Sequence, residues 1–200
     1  MTKETQLQQY QLTIDTIKDL EQDTDHNIKL LKAIDSLKGA SLRSVISTIL
    51  ETRLTINYIE LDFCASYCQY LSAKTNYEQR FACKGINTIL SEGYKKLYGF
   101  TAKEDSFWKK QIKFAVEQQP ELHEEYLRIT NDLESLQTKE VFNKEMRDIS
   151  VHYDFDPRKV YQMLANISAE EVVRRYIEFA LILKEIRNFL LKLIDKSLAQ

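Results

Sequence analysis

Apolar residues recur every three or four positions along most of the chain, which is the spacing of α-helices that bury one face. In the first segment the apolar positions are Tyr10, Ile14, Ile17 and Leu20. The polar residues from Asp23 to Asn27 predict a break in this helix. A second helical pattern then runs from Ile28 to Leu37 and ends near Gly39.

The densest apolar segments lie in the next two predicted helices. Ser41 is placed to cap a long helix from Leu42 to Ser72, whose apolar content predicts that it is largely buried. A fourth helix is predicted from Tyr77 to Tyr98, with Gly99 as its end. The residues expected on the buried face of the fourth helix are Phe81, Ile86, Ile89, Leu90 and Leu97.

The second half of the chain continues the helical pattern. A short segment from Ser106 to Glu117 leads to Pro120, a residue suited to the first turn of a helix. A polar helical pattern follows from Glu121 to Val151, with a break indicated near Thr138. Pro157 opens a short helix that extends to Leu164.

The last predicted helix begins at a capping box. Ser168 is followed three residues later by Glu171, and a strongly apolar run comes next. The chain shows no repeat and no segment with the alternation of a strand. The sequence therefore predicts an all-α fold.

Composition supports a single helical domain with an additional arm. The 200 residues include only four glycines and two prolines, fewer than the turns of a strand-rich fold require. We expect an N-terminal helical arm over residues 1–40 and a helical bundle over 41–200. The N-terminus has no apolar signal region and no long uncharged apolar run occurs, so a cytoplasmic protein without a membrane span is expected.

The cysteines and two of the histidines predict no metal site. Cys64 and Cys68 lie four residues apart in an apolar helical stretch with no nearby histidine, which is typical of reduced thiols in a core. His26 falls in the polar stretch after the first helix and is expected to face solvent. His123 lies among glutamates but lacks the histidine pairing of a zinc-binding helix. No cofactor is expected.

Charge is unevenly distributed although the net charge is only −2. Residues 75–114 carry eight Lys or Arg against four Asp or Glu, and residues 115–156 carry four against eleven. Trp108 lies in the basic segment between Phe107 and Lys109. It is expected either to anchor a short helix to the core or to stack on a nucleic-acid base.

The stretch RDISVHYDFDP, residues 147–157, carries the candidate chemistry. A histidine that titrates near neutral pH transfers protons, and a guanidinium stabilises phosphate oxygens. Five residues along a helix place Arg147 and His152 about 140° apart around the axis, whereas Asp148 shares a face with His152. Asp148 is therefore placed to hold the imidazole in one orientation.

This motif and its surroundings resemble the HEPN superfamily of small helical proteins. The family hallmark is Arg, a polar residue, three variable residues and His, which Arg147, Asp148 and His152 match. The short helix and the long apolar helix after the motif are also similar, as is the segment LSAKTNYEQRFACKGINTILSEGYKKLYGF at 71–100. The resemblance covers roughly residues 42–198.

The resemblance implies a metal-independent endoribonuclease that acts as a homodimer. His152 is the implied acid and base, Arg147 the phosphate-stabilising group and Asp148 the orienting group. Tyr153, Asp154 and, on the fourth helix, Glu92 and Arg80 are candidates for supporting or substrate-binding roles. The implied context is a bacterial toxin or phage-defence system, with RNA as the substrate and an antitoxin or another protein as a possible partner.

Some toxins of this family carry, two places after the histidine, a tyrosine that an antitoxin modifies. Asp154 occupies that place in this chain and the tyrosine is Tyr153. Two alternatives stay open from the sequence. His152 is also well placed as a histidine at a helix C-terminus, with Arg147 paired to Asp148, Asp154 or Glu145. The chain as a whole also fits a non-catalytic HEPN-like module that binds nucleic acid, a nucleotide or a protein.

Overall fold

The computed structural model describes residues 2–34, 40–101, 106–138 and 156–198, and every regular element in these ranges is helical. The all-α prediction is therefore confirmed. Within these ranges, no helix has the length and hydropathy to cross a membrane. The helices are α1 (Lys3–Ile34), α2 (Ala40–Ser72), α3 (Asn76–Leu97), α4 (Lys113–Glu117), α5 (His123–Thr138), α6 (Pro157–Asn166) and α7 (Ala169–Leu198). A π-helical turn (Phe107–Ile112) precedes α4, and a 3₁₀ turn (Pro120–Leu122) precedes α5.

Helices α1 and α2 form a long antiparallel pair, and α1 is not broken where its polar residues cluster. The predicted break at Asp23 to Asn27 is wrong, because Asp23 and Thr24 bond to α2 and the helix continues through them. The Asp23 carboxylate accepts hydrogen bonds from Arg53 Nη2 at 3.1 Å and from Asn57 Nδ2 at 2.8 Å. Asn27 donates to the same carboxylate at 3.0 Å and is fully buried.

Local signals determine both ends of α3. Thr75 accepts a hydrogen bond from the backbone of Glu78, whose side chain in turn accepts from the backbone of Thr75, and this capping box starts the helix. Gly99 has φ 81° and donates to the carbonyl of Tyr94, which ends the helix as predicted. Within α3, a side chain at Gly93 would meet Ile59 at 3.0 Å, so glycine allows α2 and α3 to pack closely.

Helix α7 lies at the centre of the bundle, against α2, α3 and α5. Its inner face is fully buried at Phe179, Leu183, Ile186, Phe189, Leu190 and Leu193. Arg128 pairs with Glu185 at 2.7 Å, and Lys192 pairs with Glu125 at 2.8 Å. The pairs run in opposite order along the two helices, so α5 and α7 are antiparallel.

The helices predicted over 42–72, 77–98 and 157–164 and the last helix are confirmed with boundaries within a few residues, whereas the predicted pattern from Glu121 to Val151 lies outside the described residues beyond Thr138. The cap at Ser168 is present, because its Oγ accepts from the backbone of Glu171 at 3.3 Å. Ile86, Leu90 and Leu97 are buried as expected and Ile89 is partly buried. The prediction for Phe81 is wrong, since its side chain is 54% exposed and lies on the outer face of α3.

We predict that Asp23→Ala destabilises the protein by about 2 to 3 kcal/mol, because it removes the acceptor of a charged hydrogen bond and leaves a largely buried guanidinium unpaired. The side chain of Arg53 is only 11% exposed. The free energy of unfolding is measured by urea titration followed by circular dichroism. Asp19→Ala, one turn earlier on an exposed position, is the matched control and should change stability by less than about 0.5 kcal/mol. Equal effects of the two substitutions would contradict the role given to Asp23.

Candidate functional site

The residues of the RDISVH motif lie outside the described part of the chain. Arg147, Asp148, His152, Tyr153 and Asp154 all fall between residues 139 and 155. Their roles therefore stay predictions. The described helices on either side are α5, which ends at Thr138, and α6, which Asp156 caps by accepting a hydrogen bond from the backbone of Arg158 at 2.9 Å.

Arg80 lies next to the helices that follow the motif. It lines a cavity of about 280 Å³ between the start of α3 and the link from α6 to α7. The other described lining residues are Asn76, Gln79, Cys83, Ile167 and Ala169. At this cavity a charged side chain of α3 lies beside the link between the two helices that follow the motif, so Arg80 remains a candidate for a supporting role.

Glu92 is not brought together with Arg80. It is exposed and lies twelve positions further along α3, which separates the two residues by about 18 Å along the helix axis. The two side chains are therefore too far apart to contact the same chemical group of a substrate.

A second cavity, the Lys96–Lys110 pocket, combines cations with an aromatic ring. Its volume is about 300 Å³, and the described lining residues are Lys96, Ser106, Phe107, Lys110 and Gln111. Lys96 Nζ lies 5.4 Å from the centre of the Phe107 ring. The pocket is therefore a concave, positively charged surface at the end of α3.

The π-helical turn forms one wall of this pocket, and its own contacts fix its position. Ser106 caps the turn by accepting a hydrogen bond from the backbone of Lys109 at 3.3 Å. Trp108 is fully buried, stacks on Tyr126 with ring centres 5.1 Å apart, and donates from Nε1 to Thr130 Oγ1 at 2.9 Å. Because Trp108 points into the core, Phe107 and Lys110 are presented on the other side of the turn.

Of the two interpretations of Trp108, the structure confirms the core anchor. A side chain with no exposed surface cannot stack on a nucleic-acid base. The neighbouring ring, Phe107, is only half-buried and lines the pocket instead. The basic excess over residues 75–114 indicated this region, but it did not indicate which aromatic residue faces outward.

A third cavity, of about 340 Å³, lies between α1, α2 and α7 and was not expected from the sequence. Within it Arg187 Nη1 donates to Glu60 Oε2 at 2.6 Å, and the side chain of Glu60 is 9% exposed. Burial raises the pKa of Glu60, an effect that Arg187 partly opposes and Asp23 reinforces. The sequence carries only a weak signal for this ion pair, since Glu60 lies between Ile59 and Leu61 and Arg187 follows Ile186.

The described residues offer no metal site, and the thiols are unreactive. No group of three or more His, Cys, Asp or Glu side chains in the described ranges could hold a metal ion. Cys64, Cys68 and Cys83 are buried, unpaired thiols. Burial raises the pKa of Cys64 to about 12 and that of Cys83 to about 11, so both are protonated at neutral pH. His26 and His123 are exposed.

No protein-family model, no curated protein and no solved structure matches this chain. The similarity to the HEPN superfamily therefore rests on the residues quoted above.

We predict that the fluorescence of Trp108 reports a buried ring. It is the single tryptophan of the chain, so the signal is unambiguous. Its emission maximum should lie at shorter wavelength than that of the urea-unfolded chain, and acrylamide should quench it at least about fivefold less efficiently than in the unfolded chain, because the folded ring has no solvent contact. Equal quenching of the folded and unfolded chains would contradict the burial of Trp108.

The raised pKa of Glu60 predicts a pH dependence of stability. The folded-state pKa of Glu60 lies above the ordinary value of 4.5. Over a range of pH, the Glu60 carboxyl is therefore protonated in the folded protein but already deprotonated in the unfolded chain. The stabilising contribution of Glu60 is therefore present below about pH 4.5 and lost as the pH rises through its folded-state pKa.

The check compares the wild type with Glu60→Gln, which cannot titrate. The free energy of unfolding is measured at several pH values from 4 to 7.5. We expect the stability of the wild type relative to the variant to fall as the pH rises. A relative stability that grows with pH would show that the ion pair with Arg187 outweighs burial.

Proposed function

We propose that the protein is a metal-independent endoribonuclease of HEPN-like type that acts as a homodimer, in a bacterial toxin or phage-defence system. His152 is the proton-transferring group, Arg147 stabilises the phosphate and Asp148 orients the imidazole. Support comes from the spacing of these three residues, from the all-helical architecture, and from the position of the motif in the chain between α5 and the α6–α7 pair.

The reaction needs only the groups that the motif supplies. The ribose 2′-hydroxyl attacks the adjacent phosphorus and loses its proton to an imidazole, while the bond from phosphorus to the 5′-oxygen breaks. The departing oxygen takes up a proton, and the products are a 2′,3′-cyclic phosphate and a 5′-hydroxyl. Arg147 offsets the negative charge that builds up on the phosphate oxygens in the transition state. A dimer would bring two such sets of groups to one phosphate.

The observation that carries the proposal beyond the motif is the basic surface beside the end of α5. Gln137, in the last turn of α5, donates to the carbonyl of Phe100 at 2.9 Å. Tyr98 donates to Glu134 on the same helix at 2.7 Å, and Lys109 Nζ lies 3.9 Å from the centre of the Tyr98 ring. Lys109 of the π-helical turn thus lies beside the last turns of α5, the helix from which the chain continues toward Arg147. A basic side chain beside α5 is a feature that an enzyme acting on a polyanion would use.

A non-catalytic HEPN-like module that binds nucleic acid, a nucleotide or a protein is the second candidate. The Lys96–Lys110 pocket favours it, because the lysines and the aromatic ring among its described lining residues are groups that suit binding and lie outside the motif. The two candidates differ in whether RNA is cut.

We predict that the wild-type protein cleaves a mixed single-stranded RNA in the presence of EDTA and leaves 2′,3′-cyclic phosphate ends. His152→Ala and Arg147→Ala should each reduce the cleavage rate at least about 100-fold, which is the usual contribution of one acid–base or charge-stabilising group. Cleavage is followed by gel electrophoresis, and all proteins are first shown to have the same oligomeric state.

His123→Ala is the matched control, because His123 is an exposed histidine on α5 outside the motif. It should cut RNA at the wild-type rate. Equal cleavage by all four proteins would point to a contaminating nuclease. Absence of cleavage by the intact wild-type protein would contradict the enzyme and leave the binding module.

A further inference from the structure

The Lys96–Lys110 pocket places lysine side chains next to a half-buried aromatic ring. In the described part of the chain, Lys96 contacts the Phe107 ring and pairs with no carboxylate. Lys110 is a second exposed lysine at the same cavity. A cavity with two ammonium groups attracts an anion, and the ring adds a surface on which a flat group can stack.

The size of the pocket limits what can enter it. About 300 Å³ lies at the lower end of the range for ligand pockets, which suits one small unit and not a duplex. The ring lines a cavity, so a base can reach its face only when it is unstacked from its neighbours. Unstacked bases that lie against aromatic side chains are typical of single-stranded RNA recognition.

The remaining lining residues supply polar groups for a base edge. Gln111 is exposed, and its amide makes no hydrogen bond within the described ranges, so both its donor and its acceptor are available. The Ser106 hydroxyl accepts from the backbone of Lys109 and keeps its own proton to donate. The pocket thus offers cations, a stacking surface and hydrogen-bonding groups within one cavity.

The stacking surface is also rigidly supported. Trp108, next to Phe107, packs between Tyr126 and Phe189 at ring-centre distances of 5.1 and 5.7 Å. Irregular π-helical turns of this kind often occur at functional sites. A ring fixed in this way loses little conformational freedom when a base stacks on it.

From this geometry we propose that the Lys96–Lys110 pocket binds one unpaired nucleotide of a single-stranded RNA. The base stacks on Phe107, Lys96 and Lys110 contact the flanking phosphates, and the Gln111 amide contacts the base edge. The proposal rests on the proposed RNA substrate, to which it adds the form in which the substrate is recognised. A nucleotide held here is a binding subsite, and it takes no part in the cleavage step.

The experiment measures binding of a fluorescent single-stranded RNA of twelve 2′-O-methyl nucleotides by fluorescence anisotropy. A 2′-O-methyl group cannot attack phosphorus, so the wild-type protein can be used without cleavage. We expect Phe107→Ala to weaken binding about tenfold, and Lys96→Ala and Lys110→Ala about fivefold each at low salt. Each lysine substitution should also reduce the slope of log affinity against log salt by about 0.7, which a merely structural change would not do.

Two matched controls lie outside the pocket. Phe81→Ala removes another exposed ring of α3, and Lys29→Ala removes an exposed lysine of α1. Both should change affinity less than about twofold. All substituted side chains are at least partly exposed, and unchanged thermal unfolding confirms that each variant is folded.

Competition experiments show which kind of molecule binds in the pocket. An RNA hairpin without unpaired bases outside its loop, inorganic phosphate and adenosine monophosphate are each added as competitors. Competition by the monophosphate but not by inorganic phosphate supports a stacked nucleotide. Equal competition by inorganic phosphate, with Phe107→Ala unaffected, would overturn the proposal in favour of a simple anion site. Stronger binding of the hairpin than of the single strand, or pocket variants that bind like the controls, would also overturn it.

The result of this binding experiment can be told apart from the result of the cleavage experiment. Binding that depends on the pocket, together with no cleavage of ordinary RNA, would contradict the enzyme but support the pocket. Cleavage that depends on His152, together with pocket variants that bind normally, would support the enzyme and overturn the pocket.

Discussion

Burial of α7 is the interaction on which the rest of the described structure depends. This helix has a fully buried face, and it packs against α2, α3 and α5. Each large side chain on that face contributes on the order of 2 kcal/mol when it leaves water. The ion pairs at the edge of α5 and α7 are largely exposed and add little energy, but their order along the two helices matches one antiparallel register.

The same core supports the Lys96–Lys110 pocket. Phe189 of α7 packs on Trp108, and Trp108 fixes the turn that presents Phe107 and Lys110. On the other side, Tyr94 packs against Phe179 with ring centres 6.2 Å apart, which holds the end of α3 and therefore Lys96. The two halves of the pocket are thus held by two aromatic residues of one helix. An external binding surface with this support needs little rearrangement to receive a ligand.

Local sequence signals predicted the helices well, because caps and glycines act over a few residues. Ser168 and Gly99, both singled out in the sequence, lie at helix ends. Signals that depend on a distant partner gave wrong or missing predictions. Asp23 and Thr24 resemble a break in sequence, yet they bond to α2. Phe81 has the spacing of a core residue, but spacing does not show how wide the covered face of a helix is.

The candidate sites depend still more on tertiary contacts. Lys96 and Lys110 lie on different elements and line the same cavity, next to a turn that the buried Trp108 fixes to the core. Glu60 and Arg187 are 127 positions apart, and their ion pair requires α2 and α7 to be packed together. Composition indicated a basic region and the motif indicated a chemistry. Neither signal could indicate which side chains share a cavity, because that is decided by the packing of α7.

The central claim is that the pocket and the RDISVH segment contact the same RNA. It is tested most directly by photo-cross-linking, with a single-stranded RNA that carries 4-thiouridine at successive positions and with His152→Ala as the protein. Cross-linked peptides are then identified by mass spectrometry. The account predicts cross-links to the peptide that contains Phe107 and, from a different position of the same RNA, to the peptide that contains residues 148–152. Cross-links confined to other helices, such as α1 or the outer face of α7, would contradict it.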